Sequence, residues 1–155
     1  MIRVELPYGI SGFYNSDEPK PPEVDVSEYK KLCDDFAEKL NGRVLEFTDT
    51  LYPANFHKAF FELPGTTICL VMNKHYPVLA FAKTVEALKI EFINFSEGAE
   101  AIPEDYTVLT ADILEAAVPE NLNELPVEEL NNGEKEQIKY WKPETIGQIV
   151  FNFWD

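Results

Sequence analysis

Four side chains of nucleophilic or metal-binding type can be judged by their surroundings in the chain: Cys33, Cys69, His57 and His75. A cysteine acts as a nucleophile only as its thiolate, which needs a cationic or polar setting. Cys33 falls inside an apolar stripe at helical spacing, and Cys69 inside the run Thr67-Ile68-Cys69-Leu70-Val71. Both therefore read as packed small hydrophobes. No serine stands in the G-x-S-x-G setting of a nucleophile elbow. Pro64-Gly65 reads as a hairpin turn, so partner residues across it have numbers summing to about 129 to 131. That register sets His57 opposite positions 72 to 74, next to His75. Two neighbouring imidazoles can begin a metal site, but a third ligand is required. The sequence names none beyond a guess at Asp49, so loop-end histidines and no metal are expected.

The acidic pairs Asp34-Asp35, Glu104-Asp105 and Glu128-Glu129 consist of adjacent residues, which point in different directions on a helix or strand. They specify no general acid and base. A glycine-rich loop before a helix, with a lysine to reach phosphates, is missing, as is a calcium-loop pattern. The expectation is a chain with no catalytic residues and no cofactor.

Charge is the strongest remaining signal. The 155 residues carry 28 acids against 13 bases, a formal net charge of −15. Nucleic acid and anionic membrane surfaces are disfavoured ligands for such a chain. From Ser96 to Glu134 the acids are Glu97, Glu100, Glu104, Asp105, Asp112, Glu115, Glu120, Glu124, Glu128, Glu129 and Glu134, with no lysine or arginine among them. Like charges at this density repel unless a cationic partner or salt screens them. The first ten are the candidate partner-binding residues; a solvated face serving only solubility is the alternative.

The elements that must position these residues follow from periodicity. The chain length suits one domain, over residues 1–155. The opening Met1 to Gly9 has no basic start followed by an apolar run, and no stretch is long and apolar enough to span a membrane. With two cysteines and no export signal, a reducing cytoplasm is expected. Met1 to Leu6 reads as a short strand, followed by a proline-rich loop. A helix capped at Asp25 or Ser27 carries Tyr29, Leu32, Cys33, Phe36 and Leu40 on one stripe and ends at Asn41-Gly42. Candidate strands Val44 to Thr48, His57 to Leu63, Thr67 to Asn73, Val78 to Lys83 and Lys89 to Phe95 are joined by short turns, which favours antiparallel neighbours. Thr84 to Leu88 reads alternatively as a helical turn. Short helices are expected over Ala111 to Val118, Pro126 to Leu130 and Glu134 to Trp141. A closing helix capped by Thr145 would bury Ile146, Ile149, Val150, Phe153 and Trp154.

The ending Trp141-Lys142-Pro143-Glu144-Thr145-Ile146-Gly147-Gln148-Ile149-Val150-Phe151-Asn152-Phe153-Trp154-Asp155 follows the pattern W-x-P-x-T-x-G-x-x-x-F-N-x-W-D. It resembles the ending of small acidic Gram-positive bacterial proteins, several of which resemble immunity proteins of polymorphic toxin systems. Locally, Pro143 would stop the preceding helix and Gly147 would permit close packing. The expected fold is α+β: an antiparallel sheet of five or six strands, with the N-terminal and C-terminal helices on one face. The resemblance implies a non-catalytic immunity-type protein that occludes a basic toxin, possibly a nuclease in class, through the acidic segment. The alternative is a small regulatory or housekeeping binding domain.

Overall fold

Asp25 starts the first regular element. In the computed structural model, which describes residues 6–48, 54–86, 89–125 and 130–154, the Asp25 carboxylate accepts from the Ser27 amide at 3.0 Å and the Ser27 hydroxyl at 2.8 Å. These bonds hold the Asp25 carboxyl below its ordinary range. Helix α1, Val26–Lys39, buries Tyr29, Leu32, Cys33, Phe36 and Ala37. It closes by a Schellman turn, in which the Gly42 amide donates to Ala37 at 2.8 Å and the Asn41 amide to Glu38 at 3.2 Å. Asn41, rather than the glycine, takes the left-handed position at φ 56.

The meander then runs as β1 (Arg43–Thr48), β2 (Phe56–Leu63), β3 (Thr66–Asn73), β4 (Val78–Glu86) and β5 (Lys89–Ile93). Each strand pairs antiparallel with the next. Pro64 fixes a negative φ and Gly65 accepts φ +80, so two residues suffice to turn β2 into β3. His57 pairs with Met72 and Phe56 with Asn73, inside the register the sequence implied. The stretch Thr84 to Glu86 extends β4 rather than forming a helical turn. A two-residue strand β6, Thr107–Val108, adds parallel to the start of β4 and completes a six-stranded sheet. Neither β6 nor the six-residue helix α2, Ser96–Ala101, has a periodic signature in the sequence.

The sheet is α+β as expected, but its helices do not share one face. Ala59, Phe61 and Leu63 of β2, Ile68, Leu70 and Met72 of β3, and Leu79 and Phe81 of β4 pack with α1. The alternate residues Phe56, Cys69, Val71, Val78, Ala80, Ala82 and Phe92 pack with the C-terminal layer. The physical reason lies in β3, whose last six residues are all buried. A strand apolar on both sides needs a layer on each.

That second layer contains α3 (Ala111–Leu114), a 3-10 turn (Leu122–Glu124), α4 (Asn132–Trp141) and α5 (Gly147–Val150). The expected helix from Ala111 is thus a single turn, and its first amide donates to the Asn94 side chain at 2.8 Å. The helix expected at Glu134 starts two residues earlier, under a capping box made by Asn131 and Glu134. Most of the Pro126 to Leu130 expectation, and Met1 to Glu5 of the first strand, lie outside the described residues.

The closing helix is also shorter than its periodicity suggests. It stops at Val150, and Phe151 is extended. Thr145 pairs with Ala117 in an isolated bridge instead of capping with its side chain. Ile146, Ile149, Val150 and Trp154 are nevertheless buried as expected, whereas Phe153 is only half-buried and Phe151 takes the core position instead. A Cβ at Gly147 would approach Phe92 to 2.6 Å and the Leu114 carbonyl to 3.0 Å. The tail therefore packs at a distance that only glycine permits.

Candidate functional site

The two thiols sit one on each side of the sheet and both are buried. Burial pushes each up to about 12, so both stay protonated at neutral pH. They are packing residues, as their sequence settings imply.

The histidines have separate environments. His57, on the α1 side of β2, has its ring 6.0 Å from Tyr29 and 6.4 Å from Phe47. His75 holds the N-terminal loop: its Nδ1 lies 2.8 Å from the Pro22 carbonyl, and burial lowers its pKa. Among the described residues, no group of three His, Cys, Asp or Glu side chains is placed to hold a metal ion. Asp49 lies outside the described residues.

Glu97, Glu100, Glu104, Asp105, Asp112, Glu115, Glu120 and Glu124 are all exposed. The ion pairs among the described residues, Lys20–Glu23 at 3.8 Å and Arg43–Glu62 at 3.1 Å, involve none of them. Glu128 and Glu129 lie outside the described residues. Glu97 and Glu100 ride on α2, whose following residue Ile102 packs on the α1 side. Asp112 is on α3 and Glu115 caps it, on the opposite layer through Ala111 and Leu114. The acidic segment thus passes from one layer to the other, across the sheet edge where β5 and β6 pair with β4.

Glu134 departs from that segment. Its side chain is fully buried and accepts from the Ser11 hydroxyl at 2.6 Å, the Ser11 amide at 3.2 Å and the Gly9 amide at 3.1 Å. Burial raises its pKa against the pull of these donors. Close by in the same layer, three buried amides form a clamp. Asn55 and Asn73 each donate to the Ile10 carbonyl at 3.0 Å and the Val150 carbonyl at 2.9 Å. Asn152 donates to Ser11 at 3.0 Å and to Ile149 at 2.9 Å, and its amide donates to Asn55 at 2.7 Å. The clamp ties the N-terminal loop, the β2–β3 strand ends and the tail together. No short motif announces it, because its members are up to about 140 residues apart in sequence.

The remaining feature is an aromatic cleft of about 330 Å³ between α3, β5 and the C-terminal segment. Trp141, Pro143, Thr145, Gly147, Phe151 and Trp154 line it, so the residues of the terminal pattern converge on one place. The two indole planes are parallel to within 3°, with centroids 6.4 Å apart. The Trp141 indole N–H donates to Gln137 at 2.9 Å, and Trp154 lies 6.0 Å from Phe13. Tyr140, beside Trp141, is 75% exposed. Lys89 and Glu115 stand at the polar part of the lining and are not ion-paired with each other. Periodicity places Trp141 at the end of one expected helix and Trp154 on the next; their shared cleft depends on the turn at Lys142, where φ is +50. No helix among the described residues is long and apolar enough to cross a membrane.

Comparison with protein-family models, with curated proteins and with solved structures finds no match.

Proposed function

We propose that this chain is a non-catalytic immunity-type protein of the cytoplasm that binds and occludes a basic toxin domain, a nuclease being the class whose groove it fits best. The observation that carries this reading is the run of exposed carboxylates from Glu97 to Glu124, without an ion-pair partner among the described residues and spread over both layers at one sheet edge. A cationic active-site groove built for phosphates accepts carboxylates in their place, and no bond is made or broken. Complementary charge raises the association rate and selects the partner, while a few buried anchors supply affinity.

The test is kinetic, against purified basic nuclease toxin domains, taken first from any toxin gene that genome sequencing finds beside this one. Association should slow steeply with salt, as the Debye length falls from about 10 Å at 0.1 M to about 3 Å at 1 M. Changing Glu104, Asp105, Glu120 and Glu124 together to Gln or Asn should lower the on-rate more than it raises the off-rate. The variant should be as stable as the parent, or slightly more so, because self-repulsion falls. Unchanged kinetics with retained protection would sink the acidic-surface mechanism. A solubility face predicts the stability gain with no binding loss.

A further inference from the structure

We infer that the aromatic cleft is the anchor pocket for an arginine side chain of the basic partner, with its guanidinium against the half-buried Trp141 indole, which the buried Trp154 backs, and beside the Glu115 carboxylate. The inference rests on the reading that the partner is a basic protein, and it names where that partner's affinity originates.

Three observations select a cation. Ring faces attract a cation within about 6 Å of their centroids, and tryptophan does so best. Here two parallel indoles line one cleft of about 330 Å³, together with Phe92, Phe151 and Phe153. Glu115 supplies an exposed carboxylate at the same cleft, with no ion-pair partner among the described residues. The chain's net charge of −15 adds a field of the same sign. Lys89 is the opposing charge in the lining.

Between the two biological cations, the cleft favours guanidinium. That group is planar, weakly hydrated, and able to stack on a ring while donating in its own plane. An ammonium would have to shed a tightly held hydration shell for a site lined largely by rings. Anchors of this kind, an arginine meeting tryptophans in a desolvated pocket, dominate many interfaces.

The experiment uses a convenience of the sequence: both tryptophans of the chain, Trp141 and Trp154, line the cleft. Intrinsic indole emission of the full chain therefore reports this site alone. The probe is a short arginine–glycine peptide without aromatic residues, compared with lysine and citrulline versions. The arginine peptide should produce a saturable emission change, the lysine peptide a several-fold weaker affinity, and the uncharged citrulline peptide none.

Glu115→Gln, at an exposed position, should weaken the arginine peptide several-fold. Lys89→Ala should tighten it. Trp141→Ala, followed by calorimetry, should weaken it about tenfold, the size expected for a desolvated cation–ring contact of about 1.4 kcal/mol. An emission change equally large with citrulline, or none at millimolar arginine peptide, overturns the inference. If peptide binding survives Trp141→Ala and Glu115→Gln but fails in the four-site acid-neutralised variant, the acidic surface stands and the cleft inference falls. If the reverse holds, the cleft stands and the acidic-surface reading falls.

Discussion

The two faces of the sheet are held by different chemistry, although they share the same strands. On one face, a fourteen-residue helix lays Tyr29, Leu32, Cys33, Phe36 and Ala37 onto alternating β2, β3 and β4 residues. On the other, α3 and α5 have four residues each and α4 has ten. A long helix satisfies its own backbone, so its contact with the sheet is almost wholly apolar. The irregular layer must satisfy many backbone groups otherwise, and Asn55, Asn73, Asn131, Glu134 and Asn152 do so with their side chains. Short elements also fill space less evenly, which leaves the aromatic cleft on that side.

The sharpest way to break this comparison is to remove the tail. Truncation after Thr145 deletes Ile146, Ile149, Val150, Phe151 and Trp154, all buried. Each is worth roughly 1.5–3 kcal/mol when buried. Against a total stability of about 5–15 kcal/mol, the truncated chain should show no cooperative thermal transition. A melt near the full-length midpoint would show that the α1 face alone sustains the fold.

Next comes the apolar face itself. Phe36 lies edge-on to Phe61 at 4.9 Å and 5.8 Å from Phe81. Phe36→Ala should cost about 3–5 kcal/mol in denaturant unfolding through transfer and cavity terms. A cost below about 1 kcal/mol would mean that the helix is loosely seated.

The irregular face should respond to polarity rather than to volume. Asn152→Ala should cost about 1–3 kcal/mol for each buried partner it orphans, chief among them the Trp154 amide. Asn152→Asp, with nearly the same shape, should be worse at neutral pH, because it turns an oxygen toward the Ser11 and Ile149 carbonyls. Equal effects of the two substitutions would show that the clamp is filled space and not a hydrogen-bond network.

Glu134 gives the smallest and most specific effect. Burial raises its folded pKa above the unfolded one. Its contribution is therefore full below the ordinary glutamate pKa and is lost as pH rises through the folded value. The stability of the parent relative to Glu134→Gln should fall with rising pH across that window. If it rises instead, the donors from Gly9 and Ser11 outweigh desolvation and favour the ionised form.

Much of this architecture is local and was legible in the residues alone. The stripe from Tyr29 to Phe36, the Asp25 cap, the five strands and the β2–β3 register each depend on neighbours a few residues apart or on one turn. Gly147 also reads correctly as a close-packing position, since a Cβ there would meet Phe92. Charge was legible as well, because eight of the candidate acids are found exposed.

Tertiary structure decided the rest. The all-apolar run in β3 signalled burial on both sides, but only the packed layers assign α1 to one face and the tail to the other. Residues 146 to 154 have helical spacing, yet the chain leaves the helix at Phe151, where Asn152 finds partners in Asn55, Ser11 and Ile149. Glu134 looks like one more acid of a solvated run until Ser11 and Gly9 fold over it. Periodicity records what each residue prefers beside its chain neighbours; these outcomes turn on polar groups from distant segments that must be satisfied once the same core excludes water.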